Sequence, residues 1–360
     1  MSWFLAFAGF AVLIILHELG HFAAAKAVGM RVERFALFFP PLLFKVRRGE
    51  TEYGVGTIPL GGYVRITGMN PNEGIPPEVA HRAYYRQPVW KRIVVISAGP
   101  LVNVVVAFLI FFCLFVFKGV FTTTATVDAV QKGSAAAQAL RPGDKVLAVD
   151  GRSGSPAVLR KQIGTHTCPG GRQVQGCAAT TPAKVTVLRD GRRLTLSVTP
   201  RYDQQAKRML LGFRFGGRYD PLPPGQAVTR SVTGMWDVSK ATVSAIGRLF
   251  YDSKARKEVS GVVGSYETTR QSFQSDDVVL ALQILGLISL SLAIVNLFPF
   301  LPLDGGHIFW ALAEKIRGRA IPFRLMEQAS VIGFVLVIML FALGLTNDID
   351  RLRGEGFGVR

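Results

Sequence analysis

Hydrophobic residues are gathered into four long blocks along the chain, and these blocks contain almost no charge. They occupy residues 3–16, 93–117, 278–300 and 329–345. A helix needs about 20 predominantly apolar residues to cross a bilayer. The second and third blocks reach that length, the first reaches it if its helix continues to residue 25, and the fourth is short but sufficient. The pattern therefore predicts a polytopic α-helical membrane protein with about four transmembrane helices.

The first block is interpreted as a retained helix rather than a signal peptide. It has no basic leading region, and no small-residue cleavage pattern precedes residue 17. A cleaved leader would also remove the histidine motif described below.

A glycine-rich stretch of alternating character follows the first block. Residues 52–69 have the sequence EYGVGTIPLGGYVRITGM, and this pattern predicts a strand, a turn and a second strand. The pair Gly61–Gly62 supplies a permissive backbone for the turn or for a close approach by another part of the chain.

Residues 124–218 have the composition of a small soluble domain rich in β-structure. Strands are predicted in VLAVDG (146–151), on both sides of Asp190–Gly191 in AKVTVLRDGRRLTLSVTP (183–200), and in LLGFRF (210–215). SAAAQAL (134–140) predicts a short helical stretch. After a proline-rich break, apolar residues recur at helical spacing over 226–252, which predicts an amphipathic helix on the membrane surface or against the globular domain.

The distribution of charge predicts the orientation of the chain in the membrane. The protein has 42 Lys and Arg against 24 Asp and Glu, a net charge of +18, yet only 18% of its residues are charged. Basic residues concentrate in 26–92 and 315–324, so both segments are predicted to be cytoplasmic and residues 118–277 and the termini to be outside. An anionic lipid surface explains this excess better than nucleic acid does, and no nucleic-acid partner is expected.

The three cysteines leave one question open. Cys168 and Cys177 flank a short glycine-rich stretch in the segment expected outside, where a disulfide and two free thiols are about equally compatible with the sequence. Cys113 lies within the second block and is interpreted as a packing residue.

The candidate chemistry lies at the end of the first block, in His17-Glu18-Leu19-Gly20-His21. Residues four apart lie about 40° from each other around a helix, so both imidazoles face the same way and can bind Zn²⁺. Glu18 lies one position along, where it can act as a base without binding the metal. Ionisable groups at membrane depth are rare and functional by default, which favours a metal site over a chance motif.

A catalytic zinc needs a third protein ligand. Two residues near the end of the third block, Asp304 and His307, could supply it. Asp304 is preferred because an Asp followed by two glycines suits a tight turn that presents its carboxylate. The alternative for Asp304 is an ordinary helix cap or turn residue.

Taken together, these motifs resemble the site-2 protease family, and more closely its bacterial branch of regulated intramembrane metalloproteases. HELGH (17–21), GPLVN (99–103) and NLFPFLPLDGG (296–306) occur in the order typical of that family. GTIPLGGYVRITGM (56–69) is similar to the branch's membrane-associated hairpin. KGSAAAQALRPGDKVLAVDG (132–151) resembles the start of a PDZ domain inserted between conserved spans. The resemblance covers nearly the whole chain.

The resemblance implies a role for each matching residue. His17, His21 and Asp304 would bind zinc, and Glu18 would be the general base. The residues implied in substrate binding are Asn296 and Pro299 near the metal, Gly99 and Asn103 on the neighbouring span, and Gly61, Gly62, Tyr63 and Val64 in the hairpin. An extended substrate would add as a strand to the edge of that hairpin.

The expected fold is thus a polytopic helical membrane protein with a membrane-associated β-hairpin and one inserted extracytoplasmic PDZ domain. The predicted divisions are 1–123, an N-terminal membrane part; 124–218, the PDZ domain; 219–277, a linker with the amphipathic helix; and 278–360, a C-terminal membrane part.

The expected function is zinc-dependent hydrolysis of peptide bonds in single-span membrane proteins, in the inner membrane of a bacterium, with the active site towards the cytoplasm. Typical substrates would be anti-sigma factors or signal-peptide remnants, and the PDZ domain would admit substrates that have already been trimmed. The oligomeric state is left open. Two alternatives come from other classes of protein: a catalytically silent membrane-anchored PDZ scaffold, and a metal transporter, since histidines and acids in spans can mark ion paths.

Overall fold

A computed structural model describes residues 2–70, 72–171, 173–249, 251–258, 261, 263–267, 270 and 278–354. The chain divides into two compact units, one formed by Met1–Val116 with Pro223–Arg360 and the other by Phe117–Leu222. The helices are α1 (Ser2–Ala27), α2 (Val89–Phe117), α3 (Pro156–Ile163), α4 (Pro224–Arg248), α5 (Ser253–Glu258), α6 (Val278–Asn296), α7 (Asp304–Arg317) and α8 (Phe323–Arg353). The strands are β1 (Val32–Arg48), β2 (Thr51–Ile66), β3 (Val120–Val130), β4 (Lys145–Val149), β5 (Arg152–Ser153), β6 (Ala183–Arg189), β7 (Arg192–Val198), β8 (Arg201–Asp203), β9 (Arg208–Leu210) and β10 (Phe213–Asp220).

Four helices in the described part of the chain are long and apolar enough to cross a membrane, as the hydrophobic blocks predict. They lie within α1, α2, α6 and α8. Within these spans the apolar residues are distributed around the whole circumference of the helix. This distribution suits a helix with lipid and protein on all sides rather than one with a face in water. The first helix does continue past the histidine motif, to Ala27.

Helices α1 and α2 approach each other closely at Gly20. A Cβ atom on Gly20 would lie 2.6 Å from the carbonyl oxygen of Ala98. The absence of a side chain therefore allows the two backbones to meet at the level of the histidine motif.

A long antiparallel hairpin connects α1 and α2. Strand β1 pairs with β2 from Val32 opposite Ile66 to Arg48 opposite Thr51. Leu37 of β1 lies opposite both Val55 and Gly62, and Arg34 lies opposite both Glu52 and Arg65, so β2 reverses its direction between residues 55 and 62. The predicted strand, turn and strand are thus confirmed. The partner strand β1 comes from a segment for which the sequence pattern predicted no strand.

Ionic and aromatic contacts attach the hairpin to α1 and to the segment before α2. At its turn, Glu50 accepts hydrogen bonds from Arg82, at 2.7 and 2.8 Å, and from Lys26 at 2.5 Å. The Arg82 guanidinium and then the Lys26 ammonium lower the pKa of the Glu50 carboxyl to about 2. Phe22 of α1 packs edge-on against Phe35 of β1, with ring centroids 5.3 Å apart.

The second unit is built on an antiparallel sheet in the order β10-β3-β4-β6-β7, with β5 paired to β4. The hairpin predicted around Asp190–Gly191 is confirmed, with Arg189 opposite Arg192. In LLGFRF, the strand β10 begins only at Phe213, because Gly212 has a φ of +82° and separates it from β9. The helical stretch predicted in residues 134–140 is shorter than expected, a 3₁₀ turn over Ala135–Gln138.

Cys168 and Cys177 form a disulfide in this unit. Cys168 is buried beside Tyr202 and Met209 of the small β8–β9 hairpin. The cross-link therefore attaches the glycine-rich stretch between the cysteines to a small apolar cluster.

Helix α4 follows this unit and confirms the predicted amphipathic helix, although it ends at Arg248 rather than at residue 252. Its buried residues Ala227, Ser231 and Met235 recur every four positions and so share one face. Met235 packs with Ala107 of α2 and Leu290 of α6. The buried face of α4 is therefore directed towards the membrane helices of the first unit.

Candidate metal centre

His17 and His21 lie one turn apart in α1 and are both buried, with 6% and 7% of their surfaces exposed. Their Nε2 atoms are 3.3 Å apart. Since α1 is continuous through the motif, the four-residue spacing places both rings on one face of the helix.

Asp304 approaches the two histidines from the opposite side. Its Oδ2 atom lies 3.2 Å from Nε2 of His17 and 3.3 Å from Nε2 of His21. In the described part of the chain these three side chains form a group able to bind a metal ion, with ligand atoms that all lie within 4.8 Å of one another. His307, the alternative third ligand, is outside this group.

The local structure around Asp304 differs from the predicted tight turn. Asp304 is the first residue of helix α7, and Leu303 occupies the N-cap position. Gly305 and Gly306 are needed for close packing: a Cβ on either would overlap the backbone of the preceding loop, at Leu297 and at Leu301. The helix start is thus pressed against the loop after α6, and this contact determines where the carboxylate lies.

The chemistry of the three atoms fits a cation. Oδ2 of Asp304 is buried without a hydrogen-bond partner among the described residues. Two imidazole nitrogens and one carboxylate oxygen converge on the same point, and unprotonated atoms of this kind would repel each other without a positive charge between them. Two His and one carboxylate are also a ligand set of catalytic zinc sites.

The outer nitrogens of both imidazoles have partners on α2. Nδ1 of His21 donates to the carbonyl oxygen of Val95 at 2.9 Å. Nδ1 of His17 lies 3.2 Å from the side-chain amide of Asn103, which is fully buried. A Cβ on Gly99 would overlap Nε2 of His21, so the glycine leaves the space that this ring occupies. Contacts of this type orient the rings of metal-binding histidines.

Asn296, at the end of α6, also reaches the cluster, because its side-chain nitrogen lies 3.4 Å from Nε2 of His17. Pro299 is exposed in the loop between α6 and α7. Of the two residues, Asn296 has a contact with a candidate ligand.

Glu18 is half-buried and faces the hairpin. A Cβ on Gly62 would lie 2.8 Å from Cγ of Glu18, so β2 passes directly beside this carboxylate. The neighbouring residues of β2 serve the hairpin itself: Gly61 packs against Phe39, Tyr63 stacks on Phe39 and bonds to Arg34, and Val64 packs on a buried cluster that includes Ala25 and Ile66.

Sequence reasoning missed an ionic contact that joins α2 to α7. Arg92 donates two hydrogen bonds to the Glu314 carboxylate, at 3.0 and 2.6 Å, and its guanidinium lies over the ring of Tyr84. Burial raises the pKa of the Tyr84 phenol above its ordinary range. Arg92 directly precedes an apolar block and Glu314 lies near the end of helix α7, so no local pattern connects them.

Comparison with known proteins gives a consistent result over nearly the whole chain. The model of peptidase family M50 matches residues 5–340. The chain is 28% identical to the metalloprotease MmpA of Caulobacter vibrioides, over 95% of this chain and 93% of that protein. It is 30% identical to a Nostoc sp. protein named as a zinc metalloprotease, over 98% and 97% of the two chains, and 29% identical to a similarly named protein of Agrobacterium fabrum, over 96% and 94%.

Proposed function

The chain belongs to peptidase family M50 and is a membrane zinc protease, and from this premise we propose that it hydrolyses peptide bonds of single-span membrane proteins within or at the edge of the bilayer. This activity would make it an enzyme of regulated intramembrane proteolysis in the inner membrane of a bacterium.

One observation carries the proposal: His17, His21 and Asp304 converge inside a bundle of apolar helices. Both histidines belong to a helix long enough to cross the bilayer. A hydrolytic site formed by these residues would act on peptide bonds within or close to the membrane.

The roles of the residues follow from their chemistry. His17, His21 and Asp304 would hold the zinc, which supplies a Lewis acid that activates water and polarises the scissile carbonyl. Glu18, adjacent in sequence but not a member of the ligand group, accepts the proton of the attacking water on its carboxylate and passes it to the leaving amine. Asn296, whose amide lies beside His17, can donate a hydrogen bond to the substrate carbonyl.

A transmembrane substrate must unwind before it can be cut, because a helix holds its carbonyls in internal hydrogen bonds. Strand β2 offers an extended template for this step. Its residues 62–66 pair on one side with residues 32–37 of β1, and no described strand pairs with their other edge. Gly62 places this part of β2 beside Glu18. Addition of the substrate as a further strand would hold it extended at the metal.

The second unit supports a PDZ-type docking role outside the cytoplasm. A cavity of about 350 Å³ lies along the last strand of its sheet and is lined by residues of α3 and β10, among them Ile163, Phe213 and Phe215. Strand β10 pairs only with β3 among the described strands, so an extended peptide could add to its edge. The disulfide favours an oxidising compartment for this unit.

The function is tested with purified full-length protein and a membrane-spanning reporter. Wild type and Glu18→Gln are compared for zinc content and for cleavage. Zinc in both proteins with cleavage only in wild type is the expected result. Bound zinc without cleavage of any reporter would favour the scaffold alternative. Uptake of zinc into vesicles that contain the protein would favour the transporter.

The docking role is tested separately by replacing residues 124–218 with a short flexible linker. If this unit excludes substrates that have not been trimmed, the variant without it should cleave intact substrates that wild type rejects. Unchanged selectivity would contradict the docking role while leaving the protease assignment intact.

A further inference from the structure

The side chain of Asn103 is fully buried between helices and contacts a candidate zinc ligand. Its amide nitrogen, Nδ2, lies 3.2 Å from Nδ1 of His17, while its amide oxygen, Oδ1, is buried without a hydrogen-bond partner among the described residues.

This orientation conflicts with metal binding by His17. Nε2 of His17 is the nitrogen directed at Asp304 and His21. A neutral imidazole carries one proton, so a ring that binds a metal through Nε2 has its proton on Nδ1. An N–H group on His17 would then point at the N–H group of the Asn103 amide, and two donors repel.

Rotation of the amide by half a turn removes the conflict. The oxygen and nitrogen of an Asn amide are nearly equal in size, and their assignment follows from the hydrogen bonds they make. In either orientation one end of the amide has no described partner, but only the rotated amide offers an acceptor to Nδ1–H of His17.

His21 must also carry its proton on Nδ1 if it binds zinc through Nε2, and the partner of its Nδ1 atom is unambiguous. Nδ1 of His21 faces the backbone carbonyl of Val95, which can only accept. Residues 95, 99 and 103 are four apart and lie on one face of α2. The carbonyl of Val95 accepts from His21, Gly99 leaves room for the His21 ring, and Asn103 contacts His17. The symmetry of the arrangement favours an acceptor at position 103.

The local packing holds this face in place. The hydroxyl of Ser289, on α6, donates to the backbone carbonyl of Asn103 at 2.9 Å, and Ser289 is also fully buried. The α2 backbone at residue 103 is thus hydrogen-bonded to α6, the helix that precedes the loop before Asp304.

We propose that Asn103 is a positioning residue that accepts the Nδ1 proton of His17 through Oδ1 and so keeps Nε2 free for zinc. This inference rests on the zinc protease function proposed above. Asn103 would thereby select the tautomer of His17 without touching the metal or the substrate.

The test compares Asn103→Asp and Asn103→Leu with wild type, as full-length protein, for zinc affinity in competition with a chelator. Asp keeps an acceptor and has no donor, whereas Leu has neither at similar volume. We expect Asn103→Leu to weaken zinc binding about 10–100-fold and Asn103→Asp to stay within a few-fold of wild type. Equal losses in both variants would mean that the amide donates, and unchanged affinity in Asn103→Leu would mean that it only packs; either result overturns the proposal.

A control residue and a second measurement separate the outcomes. Asn347, near the end of α8, donates to the carbonyl of Arg256, and its Asp and Leu variants should leave zinc affinity unchanged. Nitrogen-15 NMR of labelled histidine reports the tautomer directly in zinc-free protein, where the Asp304 carboxylate, 3.2 Å from Nε2 of His17, competes for the proton. A larger fraction of Nδ1–H on His17 in wild type than in Asn103→Leu supports the proposal, and an equal fraction overturns it. If wild type bound no zinc at all, the proposed function would fail while this measurement still judged the role of Asn103.

Discussion

Gly62 of β2 lies against Glu18 of α1, so closely that a Cβ atom on the glycine would be 2.8 Å from Cγ of the glutamate and 3.1 Å from the carbonyl oxygen of Ala36. The hairpin therefore borders the candidate general base directly. A glycine at this point allows both the strand pairing and the position of the carboxylate.

The first prediction is that Gly62→Ala lowers the cleavage rate without removing zinc. The added methyl group must displace the Glu18 side chain or the strand, and a displacement of about 1 Å at a catalytic group can lower a rate about 100-fold. Cleavage of the reporter and zinc content are measured together. Gly74→Ala is the control, since its Cβ would meet nothing within 4 Å; equal rates in the two variants would contradict the prediction.

The second prediction concerns Gly99, whose Cβ would overlap Nε2 of His21. Gly99→Ala should lower zinc occupancy, because the ring must leave the position from which it faces Asp304 and His17. Metal content after purification decides this. Gly234→Ala, within α4 and with open space around its Cβ, should retain full zinc. Stoichiometric zinc in Gly99→Ala would show that the ring has another way to bind.

The third prediction is that the Arg92–Glu314 contact stabilises the first unit. Arg92→Met leaves a carboxylate unpaired in a mostly buried place, since the side chains are 10% and 26% exposed. We expect the melting temperature of the detergent-solubilised protein to fall by roughly 3–10 °C and to recover in part in the double variant Arg92→Met/Glu314→Leu.

The zinc affinity of Arg92→Met should also fall, because Glu314 lies on the helix that carries Asp304. Asp237→Asn is the control: its pair with Lys240 is exposed and should contribute little. A double variant less stable than the single one would contradict the explanation.

The fourth prediction is a dependence of the second unit on pH. The guanidinium of Arg189 holds the pKa of the Asp144 carboxyl below its usual range, through hydrogen bonds of 2.7 Å to both oxygens. A carboxyl with a lowered pKa stabilises the folded state above its unfolded pKa of about 4 and loses that contribution as the pH falls further.

Hydrogen exchange of amides in β4 and β6, corrected for the intrinsic rate, should therefore show weaker protection below about pH 4. Asp144→Asn should have lost most of this dependence and be less stable by about 2 kcal/mol at neutral pH. Asp128→Asn, from an exposed pair with Arg214, is the matched control and should change neither value.

The fifth prediction is that removal of zinc destabilises the membrane unit. His17, His21 and Asp304 are brought within 3.2–3.3 Å of one another only in the folded protein, so the free energy of zinc binding adds to the stability of the fold. Treatment with a chelator should lower the melting temperature, and zinc should restore it. In Asp304→Asn the difference between treated and untreated protein should be much smaller; an equal difference in both proteins would point to zinc bound elsewhere.

The candidate site was only partly predictable from the sequence. The motif at residues 17–21 depends on helical spacing alone, and a helix is a local structure, so the sequence placed both histidines on one face. The choice between Asp304 and His307 could be argued but not decided. The helix start and the packing of Gly305 and Gly306 on the preceding loop decided it, because they place the Asp304 carboxylate beside both imidazoles.

By itself, the sequence determined the features that arise from neighbouring residues: the four apolar helices, the hairpin at Asp190–Gly191 and the amphipathic α4. Only the tertiary structure decided that Gly62 lies against Glu18, that α2 holds the outer nitrogens of both histidines and that Arg92 contacts Glu314. Each of these contacts joins segments far apart in the chain. Their geometry depends on how the helices and strands pack, and hydrophobic periodicity does not record it.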